Sequence, residues 1–146
     1  MNRIDNLLEK SCYIMDFLPE QVNENTGGQF FDVENFLINS DRYTVFMEKF
    51  ESIILKLMCY YHTSIYWNTW VDYPQPEKVA EITSEMSEHH SGILNVLFPQ
   101  ENTLLVFEWG DLNLSVYNPS EQVQAIMKKL ASSEGLFWRK SEVNNF

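Results

Sequence analysis

Residues 93–117 run ILNVLFPQENTLLVFEWGDLNLSVY, and their reading decides the fold. Ile93 to Phe98 and Thr103 to Trp109 are rich in β-branched and aromatic residues, and Pro99-Gln-Glu-Asn102 joins them as a turn. Gly110-Asp111 then reverses the chain into Leu112 to Tyr117. There Leu112, Leu114 and Val116 alternate with Asn113, Ser115 and Tyr117, the period of a half-buried strand. Three consecutive strands joined by short turns form an antiparallel meander. That excludes a strict βαβ alternation and its parallel sheet.

Helical patterns flank the meander. Asp41 to Tyr60 places Phe46, Phe50, Ile53, Ile54, Leu57 and Met58 on one stripe, with Ser40 or Asp41 as cap. Pro76 to His90 opens with a first-turn proline and carries Val79, Ile82 and Met86 on one face. After the meander, Asn118 is placed to cap a helix, with Pro119 in its first turn and Glu121 completing a capping box. Val123, Ile126, Met127 and Leu130 make its stripe, and Gly135 follows as a stop signal. A short amphipathic helix is expected around Asn2 to Lys10. Thr63 to Val71, Leu136 to Arg139 and, more faintly, Tyr13 to Phe17 read as further strands. The expectation is a single α+β domain over residues 1–146, a mainly antiparallel sheet of about five strands with three to four helices packed on it.

Composition agrees with a folded domain. At 146 residues, 45% hydrophobic and 14% aromatic, the chain has enough apolar surface for its own core and too many large rings for a disordered acidic tail. Asp5 and Glu9 interrupt any leader-like apolar run, and Leu57 to Val71 is too short and polar to span a bilayer. Cys12 and Cys59, far apart and without secretion signals, are expected to be reduced, buried thiols in a cytoplasmic protein.

The site chemistry that is missing narrows the field. No phosphate-cradling glycine loop, nucleophile elbow or Cys-x-x-Cys is present, so no catalytic residue, metal or cofactor is expected. Glu81, Glu85 and His89 share a helical face that in principle clasps a divalent ion, a pattern that arises often by chance.

Charge is the informative feature. With 21 acidic and 10 basic side chains the net charge is −11, which disfavours both nucleic acid and an anionic membrane as partners. Six carboxylates lie between Ser11 and Asp41, and seven more between Val79 and Met127, without one Lys or Arg in either stretch. On the Pro76 helix, Glu77, Glu81, Glu85 and Glu88 fall within an arc of roughly 80°, opposite the apolar stripe. Like charges at this spacing repel by a few tenths of a kcal/mol each, so the stripe marks either a solvated face or a docking face for a cation. Trp70 and Asp72 just before the helix, and Glu108, Trp109 and Asp111 at the hairpin tip, add aromatic rings beside carboxylates, the make-up of protein interfaces.

In general character the whole chain resembles the bacterial immunity proteins of polymorphic-toxin and contact-dependent growth-inhibition systems. Leu18-Pro19-Glu20 and Gly27-Gly28 resemble the Leu-Pro and Asn-Gly-Gly signals of one immunity superfamily. Thr26 stands in place of the Asn and the spacing is shorter, so no binding residue is carried over. The resemblance implies a small cytosolic α+β inhibitor, monomer or weak dimer, that neutralises a cognate basic toxin, most naturally a nuclease, by one-to-one binding. Two alternatives stand beside it: an adaptor or regulatory module whose partner is not a toxin, and an enzyme built on carboxylates such as Glu85 with His89.

Overall fold

The computed structural model describes residues 2–23 and 27–141. Their strands all join one antiparallel sheet. In chain order they are β1 (Cys12–Asp16), β2 (Ser64–Trp67), β3 (Thr69–Asp72), β4 (Ile93–Phe98), β5 (Thr103–Glu108), β6 (Asn113–Tyr117) and β7 (Phe137–Lys140), and across the sheet they run β3-β2-β4-β5-β6-β1-β7. The helices are α1 (Arg3–Leu7), α2 (Phe30–Ile38), α3 (Tyr43–Tyr60), α4 (Pro76–His89) and α5 (Glu121–Ser133). The α+β class and the meander β4-β5-β6 stand as expected. The element count does not, since the described residues hold seven strands and five helices.

The two extra strands and the extra helix have separate causes. Thr63 to Val71 is a hairpin: Asn68 takes a left-handed φ of 65°, reverses the chain, and leaves Tyr66 paired with Trp70. Asparagine is among the few residues that visit this region readily. The faint β1 is an interior strand, hydrogen-bonded to β6 on one side and β7 on the other. The helix α2 has no side-chain cap at Gln29 and buries none of its residues, so it carries neither a start signal nor a core stripe.

Alternation along the strands divides the sheet into two faces. Leu94, Val96, Phe98, Leu105, Phe107, Leu114, Val116 and Met15 point into the larger core, where α3, α4 and α5 cover them with Phe50, Ile54, Leu57, Ile82, Met86, Val123 and Met127. On the opposite face Leu97 and Leu104 meet Leu7 of α1 in a small cluster, flanked by Ile4, Val106 and Tyr117. α1 covers only that patch.

Helix ends follow local chemistry more closely than the sequence pattern does. Ser120, not Asn118, caps α5, accepting from the Val123 amide at 3.2 Å, while Asn118 adopts φ 64° and donates from Nδ2 to the Asn102 carbonyl at 2.9 Å. The same helix stops as expected: Gly135 (φ 76°) donates to Ser132 O and Leu136 to Ala131 O, the paired bonds of a Schellman ending. At α3 neither Ser40 nor Asp41 is the capping residue, and the chain enters through a turn closed by Tyr43 N to Ser40 O at 3.2 Å. Cys12 is half-buried, but Cys59 is exposed, against the expectation of two buried thiols, because it falls on the solvent side of the last turn of α3.

Candidate functional site

α4 realises the amphipathic arc. Val79, Ile82 and Met86 are buried against the sheet, and Glu77, Glu81, Glu85 and Glu88 are all exposed on the far side. Pro76 starts the helix in its first turn, and His90 ends it in a left-handed conformation with φ 51°. Among the described residues no salt bridge reaches any of these four glutamates.

At its C-terminal end the stripe runs into an aromatic groove. Glu85 and His89 of α4, Tyr66 and Trp67 of β2, and Ile93 and Asn95 of β4 line an opening of about 570 Å³. Trp70, 45% exposed, stands beside it with its ring 5.2 Å from that of Tyr66. Gly92 makes the groove possible: at φ 120° it lets the Trp67 ring lie where a side chain would otherwise be, since an added Cβ would sit 2.4 Å from that ring.

The hairpin tip adjoins the same end of α4. The Trp109 ring stacks on His90 at 4.8 Å, and Glu108 pairs across the ladder with Ile93. Tyr43 fixes the tip to α3: its hydroxyl donates to Asp111 O at 2.7 Å and accepts from Gly110 N at 2.8 Å. Burial pushes the Tyr43 phenol well above its ordinary range, so it keeps the proton it donates. The structure thus brings Glu85, Glu88, Trp70, Glu108 and Trp109 to one end of the molecule.

Asp72 stands apart. It lies at the other end of β3, where its Oδ1 accepts from the Ser64 hydroxyl and meets His62 Nε2 at 2.6 Å. These bonds, from Ser64 and then His62, hold its carboxyl below the usual range, and they occupy the group within the chain. Ser64 and His62 thus meet at one carboxylate oxygen. His62 is also packed flat against Tyr73 at 4.2 Å.

Acids that sequence reasoning counted without placing gather around Asp111. Segment 17–22 and α2 wall a cavity of about 410 Å³ on the sparsely covered face of the sheet, with Asp16, Glu20, Glu34 and Asp111 among its lining. Its single cation, Arg139, is tied to Asp16 at 2.7 Å. Atoms packed around the Asp111 carboxyl displace enough water to push its pKa up to about 6, and Glu108 and Glu34 add like-charge repulsion. The signal was present in the run of carboxylates between Ser11 and Asp41; what was missing was α2, which folds that run beside the hairpin tip.

Among the described residues no three His, Cys, Asp or Glu side chains form a group able to hold a metal, Glu81, Glu85 and His89 included. No described helix is long and apolar enough to cross a membrane. Compared with family models, with curated proteins and with solved structures, the chain matches none.

Proposed function

We propose that the protein is an immunity-type inhibitor that binds a basic toxin domain one-to-one through the acid–aromatic end of the molecule. The observation that carries this reading is the continuity of the surface: an unneutralised glutamate stripe on α4 leads directly into a groove walled by Tyr66 and Trp67, with Trp70 exposed beside it. Interfaces draw much of their affinity from buried Trp and Tyr anchors, and complementary charge accelerates the encounter. A toxin that acts on nucleic acid must itself be cationic, so an acidic inhibitor both finds it quickly and covers its phosphate track. The resemblance in size and charge to immunity proteins supports the choice of a toxin over another basic protein.

The test uses the basic protein that co-purifies with this chain from its native host. Titrated against it, the wild type forms a one-to-one complex whose association slows steeply as salt rises. The E81K/E85K/E88K variant binds at least about tenfold more weakly, a loss of roughly 1.4 kcal/mol. Its melting temperature stays within a few degrees of wild type, because the replaced side chains are exposed and, among the described residues, make no salt bridge. Unchanged affinity would remove α4 from the docking face. A partner whose toxicity to the host is not relieved by co-production of this protein would replace the inhibitor reading with an adaptor.

A further inference from the structure

α2 is an anomaly in an acidic, otherwise well-packed chain. It buries no residue, and Phe31 is 73% exposed, Phe36 55% and Val33 46%. Its inward side is spent on anchoring: Leu37 and Ile38 reach the larger core, while Phe30 and Glu34 wall the acid-lined cavity. A helix added for stability alone would turn its phenylalanines inward. On the helix Val33 and Phe36 lie roughly 60° apart and Phe31 about 140° from Phe36, so the exposed apolar side chains span the solvent side of α2. Exposed apolar surface rimmed by charge is the mark of an interaction surface.

We propose that the exposed face of α2 and the cavity beside it dock a basic amphipathic segment of a partner protein, with apolar side chains resting on Phe31, Val33 and Phe36 and a lysine or arginine entering the cavity. This rests on the reading that the partner is a basic protein, and it names the surface where that partner anchors. Charge complementarity selects the occupant. Glu20, Glu34 and Asp111 face the cavity, and its one guanidinium is already committed to Asp16. Among the described residues no salt bridge reaches Glu34 or Asp111. The rings suit a cationic visitor as well: Arg42 already lies over Phe36, 5.5 Å from its centroid, a contact that a partner's lysine or arginine can repeat on Phe31. The hairpin tip joins this surface to the α4 end, since Asp111 lines the cavity together with Glu34 of α2 and Trp109 stacks on His90.

The experiment is an amide-resolved NMR titration of the isotope-labelled full chain. The probe is a synthetic Leu/Lys amphipathic peptide of about 15 residues, long enough to hold helical structure when bound. A Leu/Glu peptide of the same pattern is the control. The expected result is a set of salt-sensitive shifts centred on Phe30–Ile38, residues 17–22 and residues 111–115, none with the Leu/Glu peptide, and at least about tenfold weaker binding by the F31S/F36S variant. That variant replaces exposed side chains, and an unchanged melting temperature verifies that it is folded. Shifts confined to α4, with α2 silent, would overturn this inference and leave the α4 docking reading standing. No salt-sensitive shift on either surface would overturn both. Concentration-dependent changes at α2 without peptide, with a dimer in sedimentation, would overturn it in favour of a second copy of this chain.

Discussion

At the scale of single residues, backbone positions that ordinary residues avoid build the candidate surface. Asn68 (φ 65°) turns the β2–β3 hairpin and sets Tyr66 opposite Trp70; His90 (φ 51°) stops α4 and presents its ring to Trp109. Gly92 (φ 120°) lets Trp67 close over the backbone. Gly110 (φ 97°) has nothing within contact range of an added Cβ, so the two glycines separate backbone strain from steric conflict. Gly110→Ala is expected to lose about 1 kcal/mol from the left-handed conformation alone. Gly92→Ala is expected to lose about 2–4 kcal/mol, because the Trp67 ring must also move. Urea denaturation followed by tryptophan fluorescence measures both, and equal losses would show that the contact with Trp67 carries no weight.

At the scale of elements, the hairpin tip owes its position to one side chain from a distant helix. Tyr43→Phe removes the bond to Asp111 O and leaves the Gly110 amide without its acceptor. The expected loss is about 1–3 kcal/mol, with faster hydrogen exchange at residues 109–112 and little change in the strands away from the tip. Uniform acceleration across the sheet would show that Tyr43 acts only as core. Elements that carry their own signals were legible in the sequence: the meander by alternation, α3 and α4 by their stripes, and the end of α5 by Gly135. What was faint or escaped depends on partners far away in the chain. β1, faint in the sequence as Tyr13 to Phe17, is five residues long and acquires its ladders from residues 113–117 and 137–140. α2 escaped because it has no side-chain cap and Phe31, Val33 and Phe36 are exposed, leaving only Leu37 and Ile38 against the core. In the hairpin a turn centred on the single residue Asn68 preserves parity, so Tyr66, Trp70 and Asp72 share one side. The site residues were legible as types and charges, but their grouping was not. Only the fold engages Asp72 with Ser64 and His62 and brings Asp111 within electrostatic reach of Glu34.

At the scale of the whole molecule, the net charge of −11 sits on a chain whose acids are segregated, so like charges meet across elements that are distant in sequence. Burial of the Asp111 carboxyl, with like-charge repulsion from Glu108 and Glu34 added, makes stability depend on pH in a window that can be assigned. Asp111 ordinarily titrates near 3.8 and in the folded protein at about 6. Above pH 6 it is ionised in both states. Between those values the folded protein holds a proton that the unfolded chain has released, so its contribution to stability grows as pH falls from about 6 to about 4. Glu134 acts in the opposite sense: although burial raises its pKa, the Lys56 and Ser52 hydrogen bonds hold it below its ordinary 4.5, and the stability it supplies is lost only on further acidification. The wild type is therefore expected to melt at a higher temperature near pH 5 than near pH 7. General relief of acidic repulsion also contributes to that rise, and the D111N variant isolates the local part. Without the titrating carboxyl, D111N should be more stable than wild type by about 1 kcal/mol at pH 7, once solvent screening at this exposed group is counted. The advantage should shrink to nothing by about pH 4. Melting curves for the two proteins across this range give the difference directly, and parallel profiles would mean that neither burial nor the neighbouring Glu108 and Glu34 holds the Asp111 proton in the folded protein.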